Sequence, residues 1–263
     1  MTLEEYIGNP LGKGGGAILN ATARESMRNS YVEKFNNLMV REHGMMNYRI
    51  YKNSKKNKFY IWFKVPSETI KKFYYDVVIE FFADSDVKEA GQNLFKYNAR
   101  FYANDPAFVY TYAYVFNKND LFIEELKSKM SRKALNEKPD EKNPYMQVGY
   151  IKSIYFAYLM MINRGLNKVS VVNSTATEVS DIGKSIGSMI DHADIKINAR
   201  EEAGKKLEKE KKRQKQKEKQ SKDVPERDDN VTKLSKNIKT TPRISANKTV
   251  TKISTVTKKT KRK

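Results

Sequence analysis

Few side chains in this sequence are of the kinds that do chemistry, and their spacing argues against most reactions they could serve. Gly8-Asn9-Pro10-Leu11-Gly12-Lys13-Gly14 gathers glycines and a lysine as a phosphate-binding loop does. That loop needs four residues between its glycines and a Ser or Thr hydroxyl after the lysine to hold magnesium. Here three residues intervene, Gly14 follows the lysine and no strand precedes, so the segment reads as a turn or arm. Asp76 and Glu80 share a face of an expected strand, and Glu124, Glu125 and Lys127 stand on an expected helix. Metal-dependent nucleases use carboxylates and a lysine in such numbers, but nothing in the spacing builds a two-metal site. Cysteine is absent, which removes disulfide scaffolds, zinc ribbons and thiol nucleophiles together. Two histidines, His43 and His192, leave little for a triad or a histidine-rich metal site. No catalytic residue, metal ligand or cofactor is assigned, and the chain is expected not to be an enzyme.

The residues that do point to a partner are cationic. Residues 200–263 carry 23 Lys/Arg against nine Asp/Glu, whereas residues 1–199 are near neutral for their length. The last stretch, 230–263, holds eleven basic residues and no acidic one: Lys233, Lys236, Lys239, Arg243, Lys248, Lys252, Lys258, Lys259, Lys261, Arg262 and Lys263. Such a run neutralises phosphates whatever the base sequence and releases their counterions. Those eleven side chains are the expected nucleic-acid contact. A solubilising tail, an anchor for an acidic protein surface and a nuclear-import signal at Lys258–Lys263 are the competing readings. A second candidate is the aromatic series Phe108, Tyr110, Tyr112, Tyr114 and Phe116. Base-stacking sheets interleave Lys or Arg with their aromatics. This series has none, so it reads as a core face.

The elements that must position these residues follow from hydrophobic period. Residues 1–18 read as a flexible Gly-rich arm. Met27, Tyr31, Phe35, Leu38 and Met39 recur at helical spacing over about 20–43, with Asn20 or Thr22 as a cap and Gly44 where a C-terminal glycine belongs. Strands are expected over 48–51, 58–65, 73–82 and 98–103, with a polar turn at 53–57. On the third, Phe73, Tyr75, Val77, Ile79 and Phe81 take one face and Asp76 and Glu80 the other. The alternation over 107–116 predicts a further strand. Helices are expected over about 119–135 and 145–163, and a Ser/Thr/Val-rich linker over 166–178. Val179, Ile182, Ile186, Met189, Ala193 and Ile197 then step as an amphipathic helix, a candidate seam for a homo-oligomer.

This order predicts an α+β fold: a mostly antiparallel sheet of about four to five strands packed with helices, then an extended helix and a disordered basic tail. The expected divisions are 1–18 (arm), 19–168 (α+β core domain), 169–199 (linker and amphipathic helix) and 200–263 (charged helix and tail). The longest strongly apolar run, Ile154 to Ile162, has nine residues, against the roughly 20 that a membrane helix needs. No membrane partner is expected, and the N-terminus lacks a secretion pattern.

Several stretches resemble a family of uncharacterised virion-structural proteins from tailed phages infecting Gram-positive bacteria. The likeness is carried by Asn9–Gly14, Phe73–Phe81, Asn104–Phe116, Asn143-Pro144 and Lys152–Ala157. It spans about residues 3–165 and leaves out the tail. The resemblance implies a non-enzymatic virion or assembly role, located in the virion or host cytoplasm, with other virion or assembly proteins as partners. It carries over no site residue. The alternative is a cytoplasmic, sequence-independent nucleic-acid-binding protein of replication or transcription.

Overall fold

The structure, a computed structural model, describes residues 1–8, 21–44, 46–83, 92–139, 143, 146 and 148–222. Four strands are built where the period of two places them: β1 (Tyr48–Asn53), β2 (Lys58–Pro66), β3 (Tyr74–Phe82) and β4 (Asn98–Ala103). They pair antiparallel in sequence order, and a short β5 (Thr177–Glu178) joins the outer edge of β1 in parallel. The β1–β2 connection is the expected polar turn. Asn53 Oδ1 accepts from Lys56 N, and Asn57 takes the left-handed conformation that asparagine tolerates. The sheet is therefore mixed but mostly antiparallel, and with its helices it makes the α+β fold expected.

Register divides the side chains between two faces. Ile61, Phe63 and Val65 of β2 align with Val77 and Ile79 of β3 and with Phe101 and Ala103 of β4. This apolar face receives α5 (Lys152–Asn163), and α2 (Ala21–Arg41) packs on α5. Helix α2 ends at Gly44, whose N–H reaches the Met39 carbonyl at φ +74°, as a C-terminal glycine should. The opposite face carries Lys58, Tyr60, Trp62 and Lys64 of β2 beside Asp76 and Glu80 of β3. Its charges alone would turn it to solvent, yet Asp76 and Glu80 are buried.

The predicted strand at 107–116 is a helix. A π-helical turn, Phe108–Tyr112, runs directly into α3 (Ala113–Lys118). Alternation of aromatics is outweighed by the start signal in front of it. Asp105 Oδ1 accepts from the N–H groups of Ala107 and Phe108, and Pro106 occupies the first helical position, where its fixed φ and missing N–H suit the helix. The five aromatics consequently do not share a face. Phe108 and Phe116 are buried, Tyr112 and Tyr114 are half-buried, and Tyr110 is 51% exposed. Tyr112 fixes a neighbour: a Cβ on Gly149 would fall 2.0 Å from its ring, so only glycine fits there.

Other expectations shift as well. The helix at 119–135 is a 3-10 segment, Glu124–Lys129, followed by α4 (Arg132–Asn136), because Ser131 caps a new start through Ala134 N. The helix expected from 145 begins only at Lys152. The 166–178 linker folds into α6 (Val169–Thr175) and β5, held by Val179 N donating to the Lys52 carbonyl. The amphipathic helix at 179–197 is two helices, α7 (Ile182–Met189) and α8 (Ala193–Lys222). Its stripe is filled from within the chain except at Met189, which stays exposed. Ile182, Ile186, Ile190, Ala193 and Ile197 are buried in the common core, and α7 lies on the 124–129 segment, so the seam expected for a second copy is not free.

The start of the arm is also core. Helix α1 (Leu3–Gly8) buries Leu3, Tyr6 and Ile7. The Tyr6 hydroxyl donates to the Gly149 carbonyl at 2.9 Å and accepts from Ile151 N at 3.2 Å. The glycine-rich remainder of the arm lies outside the described residues. One compact unit spans Met1–Gln214, so 1–8 and 169–199 belong with the core; a second unit is Lys215–Lys263.

Candidate functional site

The carboxylates singled out for chemistry end up on or against the charged face of the sheet, at two separate places. Glu80, Glu125 and Tyr60 meet around Lys58. Lys58 Nζ lies 2.5 Å from Glu80 Oε1 and 3.6 Å from Glu125 Oε1, and Arg100 approaches the other Glu80 oxygen at 4.0 Å. Arg100 is itself anchored on the Asp120 carboxylate and carbonyl. Burial pushes the Glu80 carboxyl above its ordinary range, and Lys58 and Arg100 offset only part of that. The Tyr60 hydroxyl is raised for the same reason and by the neighbouring carboxylates. Lys58 thus occupies the place between Glu80 and Glu125 that a catalytic cation would need. Glu124 turns away to pair with Lys127. Among the described residues no group of three His, Asp or Glu side chains converges to hold a metal ion.

Asp76 sits apart, at the other end of the same face. Trp62 Nε1 donates to its Oδ1 at 3.0 Å, Asn104 Nδ2 donates to Oδ2 at 2.9 Å, and Asn104 Oδ1 accepts from Asp76 N at 2.7 Å. Lys64 and Lys196 approach at 3.8 and 4.0 Å. Because Lys196 belongs to α8 and also reaches Asp191 at 3.4 Å, Asp76 ties the sheet to the base of the last helix. A carboxylate so fully engaged positions neighbours; it has no oxygen left for a substrate.

A third cluster lies where the 66–69 loop, the start of the π-turn, α5 and α8 converge on a cavity of about 390 Å³. Ser153 Oγ donates to Asp105 Oδ2 at 2.6 Å, Lys152 pairs with Glu68 at 2.6 Å, and Arg200 Nε donates to the Tyr75 hydroxyl at 2.7 Å. Burial pushes the Asp105 carboxyl up, opposed by Ser153 and the two capping N–H groups. Each polar group here serves another part of the fold: Asp105 caps a helix, and Arg200 pins α8. A Ser beside an Asp lacks the imidazole that would make it a nucleophile, so the cluster reads as a joint between helices. Neither histidine joins any of the three clusters. His43 follows α2 with φ +54°, and His192 stands between α7 and α8, 3.7 Å from Asp194.

From Glu201 to Gln216, helix α8 is exposed except for half-buried Ala203, Gly204 and Leu207. Its cations are Lys205, Lys206, Lys209, Lys211, Lys212, Arg213 and Lys215. Glu201, Glu202 and Glu208 stand four residues ahead of Lys205, Lys206 and Lys212, the order that supports an exposed helix. From Lys211 to Lys215 no acid intervenes. The eleven predicted contacts, Lys233 to Lys263, lie outside the described residues.

No protein-family model, curated protein or solved structure matches this chain. Among the described residues no helix is long and apolar enough to cross a membrane.

Proposed function

We propose that the chain is a non-enzymatic virion structural or assembly protein of a tailed phage, whose basic C-terminal segment contacts nucleic acid without sequence preference. The observation that carries the reading is helix α8. Its first turns are bound into the body through Ala193, Lys196, Ile197 and Arg200. Its exposed turns then carry seven cations up to Gln216, and in sequence it leads into the eleven-cation stretch. A partner offering a line of phosphates suits that charge, and the contact requires no groove-reading element.

Against the enzymatic readings stands the engagement of the carboxylates by Lys58, Trp62, Asn104 and Ser153. Partners within a particle, and residence there, are what the family resemblance supports. The test has two arms. Mass spectrometry of purified particles should find the chain at stoichiometric amounts. Anisotropy with DNA across a salt series should give a steep slope for the full chain. That slope should collapse when the eleven basic residues of 230–263 are changed to glutamine. A chain missing from particles, or a slope unmoved by the eleven substitutions, would sink the corresponding half.

A further inference from the structure

The two outer edges of the sheet are covered to different extents. The edge of β4 is closed: Ala99 N donates to the Met1 carbonyl at 2.9 Å, Phe101 N to the Leu121 carbonyl at 2.7 Å, and Ile123 N to the Phe101 carbonyl at 3.3 Å. The edge of β1 is closed only at Tyr51 and Lys52, where β5 pairs with it. Lys64 N donates to the Asn47 carbonyl, so Asn47, Arg49 and Tyr51 turn their backbone groups to β2. Those of Tyr48, Ile50 and Lys52 therefore point outward, and Val179 N takes the Lys52 carbonyl. Helix α6 ends only at Thr175, so the chain joins this edge too late to pair with Tyr48 or with the Ile50 N–H.

Beside this open stretch lies a cavity of about 560 Å³, lined by Tyr48 and Ile50 and by Arg49, Arg164, Leu166 and Val171. The volume is well inside the roughly 300–1,000 Å³ of ligand sites. Its charge is one-sided, because none of its described lining residues is acidic. Arg49 is exposed, stands over the Trp62 ring, contacts the Met189 sulfur and is in no ion pair among the described residues. Arg164 is exposed too. It donates to the Gly44 carbonyl, just ahead of β1, and likewise has no carboxylate partner among them. Unpaired backbone groups on a strand edge are a template for another strand, and two arginines select the charge of its side chains.

We propose that β1 takes up an extended acidic segment of a partner protein, which adds to the sheet as a strand along Tyr48–Ile50. Its main chain supplies a donor to the Tyr48 carbonyl and acceptors to the Tyr48 and Ile50 N–H groups, and its carboxylates meet Arg49 and Arg164. A second copy of β1 does not suit the place, since pairing edge to edge would set Arg49 against Arg49. Residues 230–263 of the chain itself carry no acid. A line of phosphates meets the arginines but has no donor for the Tyr48 carbonyl. The inference goes beyond the proposed function, since it needs neither the basic segment nor nucleic acid.

The test uses the full chain and a fluorescent peptide of about six residues, roughly 20 Å when extended, in which glutamate alternates with valine. Two further peptides carry N-methyl groups at alternate residues, one on the odd and one on the even positions. A strand turns only every second N–H to its neighbour. One methylated peptide should therefore bind about tenfold or more weaker, and the other like the parent peptide. Hydrogen exchange at Tyr48 and Ile50 should slow when the parent peptide is added. Arg49→Glu with Arg164→Glu should weaken binding about tenfold or more, in a chain that melts close to the parent. The methylated pair needs no change to the chain, so the test does not depend on that variant folding. Methylation that weakens both peptides equally, or neither, means capture by charge alone and overturns the strand pairing. Binding that survives both glutamate substitutions overturns the acidic partner. Protection of the same two amides by an oligothymidylate, and not by the peptide, passes the site to nucleic acid and overturns the proposal.

Discussion

The two faces of the central sheet are buried by different means. On one, Phe63, Ile79 and Phe101 meet Tyr6 of α1, Phe116 of α3 and the α5 side chains, and the packing is apolar and aromatic. On the other, Lys58, Glu80, Arg100, Asp76 and Trp62 lie under the 124–129 segment and the base of α8, held by ion pairs and directed hydrogen bonds. Apolar burial is non-directional and scales with area. It supplies stability but tolerates more than one arrangement. The polar face must satisfy each group individually, so it fixes where the 124–129 segment and α8 sit.

Substitutions test this contrast directly. Phe101→Ala on the apolar face should cost the most, about 3–5 kcal/mol, the range for emptying a buried aromatic site. Urea unfolding would read it as a lowered midpoint at unchanged m-value. Asp76→Asn probes the other face with almost no change in volume. One amide end would turn an N–H₂ toward the Trp62 or Asn104 donor, so a loss of about 1–3 kcal/mol is expected for the unmade bond. Equal costs for the two substitutions would mean that the two faces are held alike.

Glu80→Gln addresses charge alone. Its folded carboxyl titrates above the ordinary value of 4.5 because it is buried. Its favourable contribution is therefore complete below the unfolded value and is lost as pH rises through the raised folded one. Thermal melts from pH 4 upward should show stability falling with pH in the parent through that window, with the Glu80→Gln chain flatter. A parallel pair of curves would mean the Lys58 and Arg100 ion pairs cancel burial fully. The smallest effect is expected at the margin of this face, where Arg49→Gln and Lys64→Gln should each change stability by less than about 0.5 kcal/mol. A larger loss at either would make its contact with the Trp62 ring part of what holds the face together.

How legible each region is depends on whether its signal is local. The strands at 48–53, 58–66, 74–82 and 98–103 are readable because their period of two carries through the whole element. Helix α2 is readable through its own period, with Gly44 closing it. At 108–116 two local signals conflict, and the period of two is the weaker. Asn104-Asp105-Pro106 has the form of a turn, but it is also what a capped helix with proline at its first position looks like, and the capping bonds decide for the helix. A π-helical turn also shifts the helical spacing by one residue, which blurs the period of 3.6 just where it is needed. The Ile190-Asp191-His192 break is hidden because the apolar stripe keeps its spacing across it.

The candidate site is less legible than the fold. Asp76, Glu80, Glu124, Glu125 and Lys127 stand out by residue type, yet nothing in the sequence says that Glu80 and Glu125 share Lys58 while Asp76 takes Trp62 and Asn104.

Composition and short-range period suffice for the positions of β1 to β4, the α+β class, the lack of cysteine chemistry and the concentration of positive charge after residue 200. Both act before any long-range contact forms, so both can be read along the chain. Packing in three dimensions had to settle that α1 and residues 169–199 belong to the body, that the polar face of β3 is covered, and which acid meets which base. Those outcomes depend on segments far apart in the chain, such as Tyr6 with Gly149 or Asp76 with Lys196. Such pairings have no local periodicity, because they exist only after the sheet has brought its two faces into being.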